Sequence, residues 1–96
     1  MSTERERHLY RVASPLLAKA ESALHDVYEG LSDSDAMVRR YVVDALSAFH
    51  ERRDPLSPCA AAWGVAEGLE HRAAERLGDV YDAVQAALLV AYESDI

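Results

Sequence analysis

The chain has 96 residues, of which 50% are apolar and 28% charged, and its formal net charge is −7. This length suits one domain, and the apolar fraction is too high for a disordered chain. No apolar run approaches the ~20 residues of a membrane-spanning helix, so we expect no membrane contact. The acidic excess argues against nucleic-acid binding, because phosphate contacts need Lys and Arg. One cysteine and no apolar leader after residues 2–7 indicate a cytoplasmic protein.

The first segment predicts a helix over about 4–30. Thr3 followed by Glu6 can form a capping box, and Gly30 suits the position after a helix. Pro15 interrupts this segment, although the apolar positions keep their helical phase across it. A helix kinked at Pro15 and a short helix followed by a second one over 15–30 both remain open.

The remaining segments predict two further helices, over about 33–53 and 58–93. Ser32 followed by Asp35 offers a cap for the second helix, and Ser57 with Pro58 offers an N-cap and first position for the third. In the third segment the apolar residues recur every three or four positions without losing phase, which favours one long helix. These positions are Cys59, Ala62/Trp63, Ala66, Leu69, Ala73, Leu77, Val80, Val84, Leu88 and Ala91.

No segment has the alternating apolar and polar residues of a strand, so the predicted fold is all-α. We expect a single domain over 1–96 that forms an antiparallel three-helix bundle with a long third helix. Residues 86–92 are apolar on nearly all sides, and a three-helix monomer covers only one side of such a helix. Either the N-terminal segment or a second chain must cover this end. We favour a homodimer, with Val42 and Val43 as possible additions to its contact face. The expected interface residues are Tyr81, Leu88, Leu89 and Tyr92.

The charges are unevenly distributed along the chain. Residues 1–14 carry three Arg against two Glu, whereas four acidic residues and no basic ones follow Arg76. The C-terminal end is therefore an acidic pole that could meet a basic partner or the basic end of another copy.

Two alternative functions rest on small groups of side chains. Glu67, His71 and Glu75 would lie one turn apart on a continuous third helix, which could supply ligands to a metal ion. Cys59 would lie in the first turn of that helix near His50, where a helix N-terminus can activate a thiol. The simpler interpretation is surface Glu–His pairing and a cysteine packed in the core.

No motif for catalysis, for a phosphate-binding loop or for a dinucleotide is present, so we expect neither enzymatic activity nor a cofactor. The sequence favours a small helical protein that acts in protein–protein interaction, such as an adaptor, chaperone, immunity-type or regulatory protein. Its expected partners are a second copy and another protein.

Overall fold

A computed structural model describes residues 2–94. Every regular element in this range is helical, which confirms the all-α prediction. The prediction of three helices is wrong, because the described residues form five α-helices and one 3-10 turn. They are α1 (Glu4–Val12), α2 (Ser14–Glu29), the 3-10 turn (Asp33–Asp35), α3 (Ala36–His50), α4 (Leu56–Gly68) and α5 (Ala74–Ser94).

The first predicted helix is divided at Ala13, between α1 and α2. The capping box of Thr3 and Glu6 begins α1 as expected. Pro15 lies in the first turn of α2, where its missing N–H removes no helical hydrogen bond. Ala13 leaves helical geometry with φ −107° and ψ 22°, yet it still links the two helices through hydrogen bonds to Leu9 and Leu17. The second of the two alternatives is therefore the observed one.

The single helix predicted over 58–93 is wrong, because the chain turns between α4 and α5 at residues 69–73. Glu70 has a positive φ of 51°, and the N–H of His71 reaches back to the carbonyl of Ala66 at 2.8 Å. This is the left-handed closure that ends helices, here without a glycine. By contrast, α5 continues unbroken through Gly78.

The start of α4 also differs from the prediction. The helix begins at Leu56, ahead of Ser57 and Pro58. The carboxylate of Asp54 accepts a hydrogen bond from the N–H of Leu56 at 2.9 Å and so takes the capping role assigned to Ser57.

Four helices form a closed ring in which α2 contacts α3 and α5, and α4 contacts α3 and α5. The backbones of the diagonal pairs, α2 with α4 and α3 with α5, do not approach closely, and α1 packs against α5 and α2. Short connections make sequential helices antiparallel, as in an up-down-up-down bundle. The principal-axis extents are 44 × 23 × 18 Å.

The bundle core consists of aliphatic and small side chains with few aromatics. Val42 belongs to this core, so the expectation that it adds to a contact face is wrong. The largest fully buried side chains are Leu24, Leu77, Val38, Val42, Val80, Val84, Pro55 and Cys59. Among residues 2–94, no helix combines the length and the apolar character that crossing a bilayer requires.

Candidate interaction surface

The last turns of α5 carry a group of large apolar side chains that the bundle leaves exposed. Tyr92 is 64% exposed, Leu89 is 59% exposed and Val90 is 41% exposed. Leu88, one turn before Tyr92, is half-buried against the core. We call Leu88, Leu89, Val90 and Tyr92 the α5 end surface.

This surface is exposed because α5 is longer than its neighbour. α4 has 13 residues and α5 has 21, and Trp63 in the middle of α4 packs against Tyr81 near the middle of α5. Since the two helices are antiparallel, the final turns of α5 extend past the start of α4.

α1 covers the other side of this extension. Leu9 of α1 and Ala91 of α5 are both buried, so the N-terminal segment does wrap part of the apolar end. Its coverage is incomplete, because Leu89 and Tyr92 remain exposed.

His8 fixes α1 to the end of α5. Arg11 donates a hydrogen bond to Nδ1 of His8 at 3.0 Å, so Nε2 carries the proton. Nε2 lies 3.2 Å from the carbonyl of Ala91 and 3.0 Å from Oγ of Ser94. The imidazole thus supplies a donor to the carbonyl of Ala91 from another helix, in addition to the hydroxyl of Ser94, which donates to the same carbonyl at 2.9 Å.

An open groove of about 380 Å³ lies between the start of α1 and the end of α5. Its walls combine apolar side chains of the two helices with charged ones. The lining residues are Thr3, Arg5, Glu6, His8, Leu9, Asp54, Leu88, Ala91 and Tyr92. The sequence did not indicate that residues of α1 would share a groove with Leu88 and Tyr92.

The carboxylate of Glu6 orders one wall of this groove. Oε1 accepts from the N–H of Thr3 at 2.8 Å, and Oε2 accepts from the N–H of Asp54. These two backbone donors hold the pKa of Glu6 below its usual value. The side chain therefore joins α1 to the α3–α4 connection as an ionised group.

Tyr81 differs from the other three predicted interface residues. Its ring packs against Trp63 with the centroids 5.2 Å apart, and its hydroxyl accepts a hydrogen bond from Gln85 at 3.2 Å. It is half-buried between α4 and α5, whereas Leu88 and Tyr92 line the groove and Leu89 is exposed beside them in the sequence.

Opposite charges lie on the two helices at this end of the bundle. The exposed side chains of α1 include Arg5, Arg7 and Arg11, and Glu93 is exposed in the last turn of α5. Among the described residues of the acidic pole expected after Arg76, Glu93 lies beside the basic start of the chain, whereas Asp79 and Asp82 lie in the first half of α5. Asp95, the last acidic residue of that pole, lies outside the described residues.

The three residues of the predicted metal site do not share a helix. Glu67 lies at the end of α4, His71 in the connection and Glu75 in the first turn of α5. The one-turn spacing on which the metal hypothesis depended is therefore absent. Within the described part of the chain, no three His, Cys, Asp or Glu side chains converge so that they could hold a metal ion.

His71 instead joins the two loops at the opposite end of the bundle. Its Nδ1 accepts the N–H of Ala73 at 3.0 Å, so Nε2 carries the proton and donates to Asp35 at 2.8 Å. Arg72 donates to both carboxylate oxygens of Asp35 and to the carbonyl of Gly30. We call this group the Asp35 clasp. It fixes both ring nitrogens of His71 to protein groups.

Cys59 is buried near the start of α4, as the core interpretation expected. Removal from water, together with the negative charge of Asp54, raises the pKa of the thiol to about 12. His50, the proposed base, lies exposed at the end of α3. A buried neutral thiol is a poor nucleophile, so this geometry supports packing and not thiol chemistry.

Comparisons with protein families, with curated proteins and with solved structures found no match to this chain. No functional residue is therefore assigned from a relative, and the α5 end surface with its groove is the basis for the proposed function.

Proposed function

We propose that this chain acts by binding protein through the α5 end surface, and that its partner there is a second copy of the same chain. The observation that carries the proposal is the exposure of Leu89 and Tyr92 on adjacent turns of α5, where Tyr92 also lines an open groove. We assign no catalytic residue and no cofactor. The broader role would be that of an adaptor or regulatory protein.

The grouping of these side chains supports an interface. Single exposed apolar residues are common on protein surfaces and need no explanation. Leu89 and Leu88 precede Tyr92 by three and four residues, so these three side chains lie on one side of α5, and Val90 extends the surface around the helix. Contiguous apolar groups with a charged border are typical of contact sites.

The charges favour a second copy as the occupant. A twofold contact joins the same surface on both protomers, so both charge signs of one protomer are available to the other. The basic residues Arg5 and Arg7 of one copy can then pair with Glu93 of the other. Such pairing at the border of an apolar contact makes association depend on salt.

The test is the molar mass across a concentration series, measured by light scattering and by sedimentation. We expect a dimer whose dissociation constant increases when the salt concentration rises from about 0.05 M to about 0.5 M. Leu89→Glu should raise that constant more than about thirtyfold, because each dimer carries the change twice. A wild-type monomer at every concentration would refute the second copy as partner.

Met37→Glu is the matched control. Met37 is 58% exposed, nearly the same as Leu89, but it lies at the start of α3, at the end of the bundle opposite the α5 end surface. We expect this variant to dimerise like the wild type. If both substitutions weakened the dimer equally, association would depend on exposed apolar side chains in general, and the assignment of the contact to α5 would be contradicted.

A further inference from the structure

The connection between α4 and α5 has the composition of a helix. Residues 69–73 read Leu-Glu-His-Arg-Ala and contain no Gly, no Pro and no β-branched residue. The preceding Gly68 still lies within α4. Nothing in the local sequence favours a turn at this point over helix.

The turn requires an unfavourable backbone conformation. Glu70 has a φ of 51°, in the left-handed region that glycine adopts freely and that other residues avoid. Helices that end in this way usually have Gly at the left-handed position. Glu70 would lose this strain if the segment became helical.

The closed turn also leaves one position of the apolar stripe uncovered. Ala66 and Ala73 are buried, but Leu69, which continues the same stripe, is 56% exposed. An open groove of about 270 Å³ beside the turn is lined by side chains that include Ala73, Arg72 and Leu31. The packing is therefore incomplete where the chain reverses.

The turn is held closed by local hydrogen bonds, such as that from the N–H of His71 to the carbonyl of Ala66, and by contacts from outside it. The Asp35 clasp links His71 and Arg72 to the α2–α3 connection. These contacts do not require that α5 belong to the same chain as α4.

We propose that residues 69–73 form a hinge through which two copies exchange α5. In the exchanged dimer α4 and α5 of each copy join into one helix, and α5 packs against α2 and α4 of the other copy. His71 and Arg72 would then bind Asp35 of the partner subunit, and Leu69 would lie where the two bundles meet. This dimer is independent of the contact through the α5 end surface.

The exchanged dimer differs measurably from the compact monomer. A helix over residues 56–94 would be about 58 Å long, whereas the monomer extends 44 Å. Release of α5 requires opening the core, so exchange between dimers should be slow.

Glu70→Gly provides the sharpest test. Glycine relieves the left-handed strain of the closed turn and disfavours the continuous helix. Per chain, the first effect shifts the equilibrium against exchange by about tenfold and the second by about threefold to fivefold. Glu70→Ala is the matched control, because alanine favours helix and gains nothing in the left-handed region. Both are made in a Leu89→Glu background, which removes the dimer proposed through the α5 end surface.

Each protein is concentrated, warmed to near its midpoint of thermal unfolding, cooled and separated by size. The molar mass of each fraction is then measured by light scattering and its shape by small-angle X-ray scattering. We expect the Leu89→Glu protein to yield an elongated dimer that persists on dilution. Glu70→Gly should lower its fraction more than tenfold, and Glu70→Ala should retain or raise it. Monomer alone from the Leu89→Glu protein, or equal dimer fractions in both Glu70 variants, would overturn the hinge without bearing on the contact at Leu89.

Discussion

The indole ring of Trp63 lies directly against Gly78, so close that a Cβ atom at position 78 would be 3.1 Å from two atoms of the ring. The indole also packs against Tyr81, with the ring centroids 5.2 Å apart, and this contact limits how far it can move. A glycine inside a helix costs ~1 kcal/mol of stability relative to alanine. Here the absence of a side chain at Gly78 permits α4 and α5 to approach closely.

Gly78→Ala should therefore fail to give the usual gain in helix stability. Gly64→Ala is the control, since Gly64 lies within α4 and a Cβ there would meet nothing within 4 Å. We expect Gly64→Ala to raise the free energy of unfolding by about 0.5–1 kcal/mol and Gly78→Ala to lower it by about 1 kcal/mol. Equal stabilisation of both in urea unfolding would show that the indole can move aside freely.

The Asp35 clasp should make stability depend on acid pH. Hydrogen bonds from Arg72, the N–H of Ser32 and His71 hold the pKa of Asp35 well below its usual value. A carboxyl group whose pKa is lower in the folded than in the unfolded protein stabilises the fold. This stabilisation is complete above the unfolded-state pKa of about 4 and is lost as the pH falls below that value. Asp35→Asn should lower the thermal midpoint at pH 7 and flatten its decline below about pH 4.

Asp33→Asn serves as the control for this experiment. Asp33 also pairs with an arginine, Arg39, at 3.1 Å, but its side chain is fully exposed. Exposed ion pairs contribute little, so we expect almost no change in midpoint at either pH. Similar losses in the two variants would contradict the role of the clasp.

Tyr10 should stabilise the fold through its hydroxyl group. The side chain is buried, and the hydroxyl donates to the carbonyl of Arg53 at 2.7 Å. Tyr10→Phe would leave that carbonyl without this donor and should cost about 1 kcal/mol of unfolding free energy. Tyr41→Phe, at a half-buried ring on α3, should change stability much less in the same denaturant titration.

Cys59 should be protected from thiol reagents in the native protein. Because the thiol is buried and its pKa is raised to about 12, almost no thiolate exists at pH 8. We expect the rate of labelling to follow global unfolding, and to rise with urea concentration in parallel with it. Rapid stoichiometric labelling without denaturant would restore the hypothesis of a reactive thiol.

Much of the local structure could be predicted from side-chain chemistry along the chain. The Thr3 capping box and the Ser32 to Asp35 box are both confirmed, because such caps depend on residues only three positions apart. The apolar excess at residues 86–92 correctly indicated that Leu89 and Tyr92 would be hard to cover. These features depend on residues that are close together in the sequence, so local sequence patterns predict them.

The division of the third segment could not be predicted in this way. Leu69 and Ala73 keep the helical phase, and the glycines that could mark a break lie at 64, 68 and 78. The turn depends instead on Asp35, 36 residues before His71 along the chain. A contact over that distance leaves no periodic signal in the sequence. The metal hypothesis for Glu67, His71 and Glu75 assumed one continuous helix, so it failed when the chain turned between α4 and α5.

The pairing of His8 with the carbonyl of Ala91 spans 83 residues and has a consequence for biosynthesis. A ribosome adding 5–20 residues per second needs about 4–17 s to make the intervening chain. During that time α1 can pack only against α2, and the surface of α1 that α5 covers is available to chaperones or to another nascent chain. The packing of α1 is therefore complete only after α5 has left the ribosome.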